Sequence, residues 1–197
     1  IYEEDILEGD WIVNNREGEY RIPFVARHGQ GHRFTTLRKE PGIDLSGRWE
    51  ATFEIDEESP YPAIAEFQQN GNELTGTFMT ETGYYRYLEG TVQANKMYLS
   101  CFDGSHAFLF EAKIQEDSTL IGSFRSGKHY RTLWTARRNP NATLSSPDDL
   151  TYLREGYDSF RFAFPNPEGD TISLEDEQYQ GKVRLVQIMG TWCPNCR

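Results

Sequence analysis

The sequence predicts a mainly β protein in which antiparallel barrel or sandwich units precede the start of an α/β domain. Apolar and polar residues alternate along most of the chain, which is typical of strands with one buried face. Residues that favour tight turns recur about every ten residues, as in an antiparallel meander that closes or folds into two layers. Aromatic residues make up 14% of the 197 residues, which favours strands over helices rich in Leu and Ala.

The clearest strand is GRWEATFEI, in which Trp49, Ala51, Phe53 and Ile55 share one face. The segments that follow predict a series of hairpins, and an Asn-Gly pair is a strong signal because both residues tolerate a positive φ. The predicted turns lie at Asn70-Gly71, at 93–96, at 103–105 and at Ser126-Gly127. Together these strands predict one complete antiparallel β unit over residues 41–138.

An internal repeat explains the first 40 residues. The stretch YRIPFVAR at 20–27 matches YRTLWTAR at 130–137, and each follows a Gly-x-aromatic strand, at 9–11 and at 122–124. The alternative is that two short strand ends coincide by chance. The repeat predicts that residues 1–40 are the end of a first β unit whose front is missing.

The segment 139–157 is predicted to be a linker, because it is rich in Asn, Pro, Ser and Asp and has no apolar period. Within it, Ser146 ahead of Pro147 favours the start of a short helical turn. Residues 158–197 predict the start of an α/β domain. After a predicted hairpin and loop, VRLVQIMGTW is a nearly continuous apolar strand of the kind buried in an α/β sheet, and it runs into Cys193.

The last residues are GTWCPNCR, and Cys193 and Cys196 are the predicted catalytic residues. A Cys at a helix N-terminus is stabilised as thiolate, because backbone N–H groups and the helix dipole lower its pKa from about 8.5. Cys193 is therefore expected to attack a disulfide, and Cys196 to resolve the mixed disulfide. Trp192, Pro194 and Asn195 are the predicted neighbours, with Trp192 shielding the pair and Pro194 fitting the first helical turn.

A zinc site and a peroxidatic cysteine are the two alternatives to a redox disulfide pair. A Cys-x-x-Cys pair can be half of a zinc site, but such a site needs four ligands, and the sequence has neither a second pair nor a convincing Cys-His spacing. A peroxidatic cysteine would follow a Thr at the position that Gly190 occupies. No metal site and no cofactor site is therefore predicted.

The stretch GDTISLEDEQYQGKVRLVQIMGTWCPNC resembles the opening of the redox domain in TlpA/ResA-like thiol-disulfide oxidoreductases, in the thioredoxin-like superfamily that includes the redoxin and AhpC/TSA groups. The β units resemble the N-terminal extension of some members. The resemblance implies that Cys193 is the exposed nucleophile and Cys196 the resolving cysteine. It implies disulfide-containing protein substrates, an upstream thiol reductant, and a periplasmic location in the cell envelope, with a membrane anchor in a missing N-terminus. Since the redox domain would continue beyond Arg197, this chain alone is expected to be poorly active or inactive.

The composition of the chain argues against some classes of binding partner. The formal net charge of −11 argues against a nucleic-acid partner, because binding to phosphates depends on Lys and Arg. No apolar run approaches the roughly 20 residues that a membrane-spanning helix needs.

Cys101 is predicted to be a buried apolar residue rather than a third redox thiol. His28 and His32 are expected to be solvated, and His106 and His129 have no evident partner in the sequence.

Two functions from different classes follow from these observations. The first is an enzyme that exchanges dithiols and disulfides on envelope proteins through Cys193 and Cys196. The second is a binding module, in which the β-barrel takes a ligand or a protein and the redox domain is an accessory.

Overall fold

The computed structural model of the chain describes residues 2–3, 5–13, 20–35, 37–104 and 106–187. The chain divides into two compact units, Ile1–Ser145 and Ser146–Arg197. The first unit contains a closed β-barrel and a three-stranded sheet, and the second contains a two-stranded sheet and two short helical turns. The mainly β fold class is therefore confirmed, and the complete unit is a barrel rather than a sandwich.

A three-stranded antiparallel sheet comes first in the chain. Its strands are β1 (Tyr2–Glu3), β2 (Ile6–Val13) and β3 (Tyr20–Arg27). Eight further antiparallel strands form the barrel, each paired with the next along the chain. They are β4 (Gly47–Phe53), β5 (Tyr61–Asn70), β6 (Glu73–Thr80), β7 (Gly83–Gln93), β8 (Lys96–Phe102), β9 (Ala107–Ile114), β10 (Leu120–Ser126) and β11 (Tyr130–Arg138).

The last strand of the barrel returns to the first. β11 pairs with β4 from Trp134 opposite Phe53 to Arg138 opposite Trp49. The barrel sheet therefore closes on itself, which removes the unpaired N–H and C=O groups of an open edge. The hairpin turns predicted from the sequence are confirmed, and Gly71 in the β5–β6 turn has a φ of 57° as the Asn-Gly pair requires.

Side chains from alternate positions of the eight strands fill the barrel interior. The large side chains that are fully buried there include Trp49, Phe53, Leu74, Phe78, Leu88, Met97, Leu99, Phe110, Leu120 and Trp134. Neighbouring rings stack closely, with centroid distances of 4.8 Å between Phe78 and Phe110 and 4.6 Å between Phe110 and Phe124. Each such burial contributes roughly 1.5–3 kcal/mol relative to exposure, so this interior is the main apolar contribution to stability.

The two ends of the barrel differ. The lower end is formed by the β5–β6, β7–β8 and β9–β10 turns, together with the segments that enter β4 and leave β11. The upper end is formed by the β4–β5, β6–β7, β8–β9 and β10–β11 turns. This division follows from the up-and-down order of the strands, because consecutive turns alternate between the two ends.

The lower end is closed by Trp49 and Arg138. The Trp49 Nε1–H donates to the carbonyl oxygen of Leu45, which is itself fully buried, at 2.8 Å. The Arg138 guanidinium lies 4.6 Å from the centre of the Trp49 ring and donates to the carbonyl oxygens of Asp44 and Ser46. Arg138 therefore ties the last strand to the first strand and to the segment that enters it.

The β2–β3 hairpin has the same register as the β10–β11 hairpin of the barrel. Gly9 is paired with Phe24 in the first hairpin, and Gly122 with Trp134 in the second. The sequence repeat thus extends to strand pairing. Burial differs, because Phe24 is 41% exposed whereas Trp134 is fully buried.

The second unit has little regular structure in its described part. Its elements are the helix α1 (Pro147–Leu150), the strands β12 (Ala163–Pro165) and β13 (Thr171–Ser173), and a 3-10 turn (Glu177–Tyr179). α1 begins where the sequence predicts a helical turn, since the Ser146 hydroxyl accepts a hydrogen bond from the Asp148 N–H. β12 and β13 pair as an antiparallel hairpin. Among the described residues, no helix is long and apolar enough to cross a membrane.

The identification of a thioredoxin-like family is wrong. The regular structure of the described residues is nearly all β, and their one α-helix has four residues, whereas a thioredoxin-like α/β fold has several helices. The predicted buried strand is also absent over 183–187, where Val183 and Leu185 are almost fully exposed. An apolar run becomes a buried strand only when neighbouring layers cover both of its faces, and residues 146–187 provide no such layers.

Replacing Arg138 by Lys is expected to lower the free energy of unfolding by about 1–3 kcal/mol. Lysine keeps the positive charge but loses the planar group that lies over Trp49 and donates to two carbonyl oxygens. Urea unfolding followed by tryptophan fluorescence measures the change. The matched control is Arg125→Lys on β10, where the side chain is exposed. Equal losses in the two variants would contradict the role assigned to Arg138.

Candidate functional site: the upper end of the barrel

Three tyrosines and one carboxylate meet at the upper end of the barrel. Tyr61 is the first residue of β5, Tyr130 is the first residue of β11, and Glu54 directly follows β4. Tyr85 lies near the start of β7. These positions all belong to strand ends at the upper end, so the antiparallel order brings the four side chains together. We call Glu54, Tyr61, Tyr85 and Tyr130 the tyrosine cluster.

One hydrogen bond and one electrostatic interaction organise the tyrosine cluster. The Tyr130 hydroxyl donates to Glu54 Oε1. The hydroxyls of Tyr61 and Tyr85 lie close enough to influence each other's pKa. The Tyr61 ring stacks on Phe53, with 5.5 Å between the centroids and 10° between the planes. The cluster is therefore a polar layer that rests directly on the apolar interior.

Glu54 adopts an unusual backbone conformation. Its φ is 57°, in the left-handed region that residues other than Gly, Asn and Asp seldom occupy. Such a conformation costs of order 1–3 kcal/mol and is found preferentially at functional sites. Glu54 Oε1 accepts from Tyr130, while the second carboxylate oxygen has no hydrogen-bond partner within the described part of the chain. That oxygen is available to a ligand.

The tyrosines of the cluster stay neutral over a wide pH range. Burial raises the pKa of Tyr61 and of Tyr85 above the ordinary value of about 10, and the interaction with Tyr85 raises the pKa of Tyr61 further. Burial, followed by the hydrogen bond to Glu54, raises the pKa of Tyr130. Each hydroxyl can therefore both donate and accept a hydrogen bond at neutral pH.

An unpaired donor lies just below the cluster. Trp134 is fully buried, and its Nε1–H is the one buried side-chain polar atom without a partner in the described ranges. Its ring stacks on Phe53, with 5.9 Å between centroids, and Phe53 in turn carries the Tyr61 ring. A buried N–H left unpaired costs about 1–3 kcal/mol.

Asp56 secures the turn that carries Glu54. Its Oδ1 accepts from the Leu133 N–H at 3.0 Å and from the Thr132 hydroxyl at 3.1 Å. The hydrogen bond from Leu133 is the main reason why the pKa of Asp56 lies below its ordinary value. The β4–β5 turn is thereby fastened to β11, which is the strand of Tyr130.

The β2–β3 hairpin contacts the rim of the upper end. The Trp11 ring packs edge-on against Phe102, with 5.3 Å between centroids. The Tyr20 hydroxyl lies 2.9 Å from His129 Nδ1 and accepts from the Lys128 N–H at 3.0 Å. These contacts fix the hairpin beside the β8–β9 and β10–β11 turns.

The residues predicted from the sequence to carry redox chemistry lie outside the described residues. They are Trp192, Cys193, Pro194, Asn195 and Cys196. Thiol-disulfide exchange by this pair stays a prediction, and the family identification that supported it has been overturned.

The other sulfur and imidazole groups are placed as follows. Cys101 is partly buried on β8 opposite Phe108, and burial raises the pKa of its thiol, in agreement with an apolar role. His106 does have a partner, because its Nδ1 lies 3.0 Å from an Asp103 carboxylate oxygen. His28 is exposed as expected.

His129 also has a partner in the structure, the Tyr20 hydroxyl described above. Within the described ranges, no group of three or more His, Cys, Asp or Glu side chains could hold a metal ion.

Comparison of the chain with family models, with curated proteins and with solved structures finds no match.

Sequence reasoning missed the tyrosine cluster, because it treated aromatic residues as core. The available signal was position: Tyr61 and Tyr130 each open a strand at a turn, where a polar hydroxyl reaches the end of a barrel. The place of Tyr85 could not be found in this way, since it depends on an irregularity in the β6–β7 pairing.

The protein is expected to lose stability as the pH rises above about 10. The folded-state pKa of each cluster tyrosine is raised, so the stabilising contribution is fully present below the unfolded-state value of about 10. It is lost as the pH rises towards the folded-state values, because the unfolded chain then releases protons that the folded chain retains. Urea unfolding between about pH 8 and about pH 11 measures this loss.

The Tyr61→Phe variant should show a smaller loss of stability over this pH range, because one of the shifted groups is gone. Tyr152→Phe is the control, since Tyr152 is 86% exposed. The assignment would be wrong if both variants kept the pH dependence of the parent protein.

Proposed function

We propose that the chain is a binding module that takes a small ligand at the upper end of its β-barrel. The observation that carries this proposal is the tyrosine cluster. Three neutral hydroxyls and one carboxylate gather at one end of a barrel whose other end is closed by Arg138, Trp49 and Leu45. Small-molecule sites typically combine aromatic walls with a few placed polar groups, and this end of the barrel has both.

The chemistry of the cluster favours a ligand with a cationic or hydrogen-bond-donating head. The second oxygen of Glu54 is an acceptor, and its negative charge disfavours anions. Tyrosine rings attract a cation to their faces through the ring quadrupole. Such a head group would form a charge-assisted hydrogen bond with Glu54, which is stronger than a hydrogen bond between neutral groups.

The body of the ligand is expected to be small and apolar. The interior below the cluster is occupied by Phe53, Phe110 and Phe124, so the ligand rests on these rings rather than penetrating the barrel. An eight-stranded barrel has an interior that side chains can fill or that can hold one small ligand, and here the side chains fill most of it. We expect the apolar body of the ligand to be about the size of one aromatic ring.

Three probes that have the same aromatic ring but different head groups separate the effect of the head group from that of the apolar body. Benzylamine is expected to bind more tightly than benzyl alcohol, and benzoate least tightly, because Glu54 attracts the first head group and repels the last. Calorimetric titration measures the three affinities. In Glu54→Gln the preference for benzylamine over benzoate should fall by about tenfold or more, since the charge that sets the order is removed.

The control for this experiment is Glu58→Gln, an exposed residue of the same turn. The proposal would be contradicted if none of the three probes bound saturably to the parent protein. It would also fail if Glu54→Gln kept the preference of the parent protein for benzylamine over benzoate, as the control Glu58→Gln is expected to do.

A further inference from the structure

A second aromatic site lies on the outside of the barrel. It is an open groove of about 500 Å³ on the outer surface of β6 and β7, a volume within the range of small-molecule sites. Its lining consists of Thr75, Gly76, Thr77, Tyr84, Tyr87, Leu88 and Glu89. We call this site the β6–β7 groove. It shares no residue with the tyrosine cluster.

A β-bulge produces the groove. β6 and β7 are paired at Phe78 and Tyr85 and again at Gly76 and Leu88, so one residue of β6 faces two residues of β7. The Thr77 hydroxyl donates to the Tyr85 carbonyl oxygen inside this irregular stretch. Bulges are over-represented beside functional sites, because they redirect a side chain that regular pleating would place elsewhere.

Tyr87 is held in a costly conformation within the bulge. Its φ is 52°, which is an outlier for a bulky residue, and its side chain is 86% exposed. The interior of the barrel gains almost nothing from a ring that is left in solvent. A glycine would remove the strain at this position, so the ring is explained by binding rather than by folding.

The groove combines ring faces with hydroxyl and carboxylate groups. Tyr84 is 61% exposed beside Tyr87, and Thr75 supplies a further hydroxyl on the neighbouring strand. Glu89 is held in place by Arg33, with 3.6 Å between the Arg33 Nε and a Glu89 carboxylate oxygen. Arg33 is itself fixed, because it donates to Ser100 on β8 at 3.0 Å.

We propose that the β6–β7 groove binds a neutral oligosaccharide. One face of a pyranose ring presents C–H groups with partial positive charge, which the electron-rich face of a tyrosine attracts. The many hydroxyl groups of the sugar match the Thr75 and Thr77 hydroxyls and the Glu89 carboxylate, which can accept several hydrogen bonds. A ligand of this groove needs a face that packs on tyrosine and groups that form hydrogen bonds, and a sugar has both.

The charge of the groove separates this ligand from other classes. The net charge of −11 disfavours nucleic acids, phosphorylated ligands and acidic sugars, and the described residues that line the groove include one carboxylate and neither Lys nor Arg. A chain of a few neutral sugar units fits the open shape, because its ends can extend beyond the groove.

Calorimetric titration with cellotetraose, maltotetraose, xylotetraose and N-acetylchitotetraose tests the proposal, with tetragalacturonate as the acidic comparison. At least one neutral sugar is expected to bind saturably, and more tightly than the acidic one. Tyr84→Ala and Tyr87→Ala should each weaken that binding by about tenfold or more, as is usual for aromatic anchors. Tyr152→Ala is the matched control, because Tyr152 is 86% exposed like Tyr87 and should leave the affinity unchanged.

The Tyr87→Gly variant separates a loss of binding from a loss of stability. Removing the strained side chain should raise the Tm by about 2 °C or more, while the affinity for the sugar falls as in Tyr87→Ala. The proposal is overturned if no neutral sugar binds, if the acidic sugar binds more tightly, or if Tyr87→Gly binds as well as the parent protein. These outcomes are separable from the benzylamine experiment, because Glu54→Gln leaves the β6–β7 groove intact.

Discussion

The pairing of β11 with β4 is the contact on which the rest of the barrel depends. It joins the two ends of an eight-strand meander and gives every strand two neighbours. Because the sheet has no edge, alternate side chains must point either into a closed interior or out into solvent. Arg138 reinforces this closure at the lower end, where it lies over Trp49 and binds the carbonyl oxygens of Asp44 and Ser46. Backbone hydrogen bonds between β11 and β4 close the barrel along the strands, and the stacking of Arg138 on the Trp49 indole reinforces the closure at the lower end.

Closure also explains why polar groups collect at the upper end. The lower end is covered by the segments that enter and leave the barrel, including the buried residues Leu45 and Ala142. At the upper end Tyr61 and Tyr130 begin their strands, so their rings stay on the apolar interior while their hydroxyls reach its boundary. Glu54 accepts a hydrogen bond from the Tyr130 hydroxyl there, and its backbone adopts the left-handed conformation. The site is therefore built from the last inward-facing positions of the strands.

The sequence predicts the barrel better than it predicts the site. Alternation places Trp49, Ala51 and Phe53 on the buried face correctly, because the period of a strand is a local property of the chain. It is wrong for Ile55, which lies beyond the end of β4 and is 40% exposed. The same reasoning fails at 183–187, because an apolar run is buried only when other elements cover it, and that depends on the whole fold. The tyrosine cluster likewise requires the register of β4, β5, β7 and β11. Local alternation does not specify which strand ends meet.

The β6–β7 bulge shows how one extra residue separates two environments. In a regular strand Tyr85 and Tyr87 would share a face, because side chains two positions apart point the same way. In this barrel Tyr85 packs against Phe108, Phe110 and Phe124, whereas Tyr87 stands in solvent. After the bulge Leu88 is again fully buried, so the interior is filled without interruption. The positive φ of Tyr87 lies within this bulge, and its exposed ring lines the outer groove.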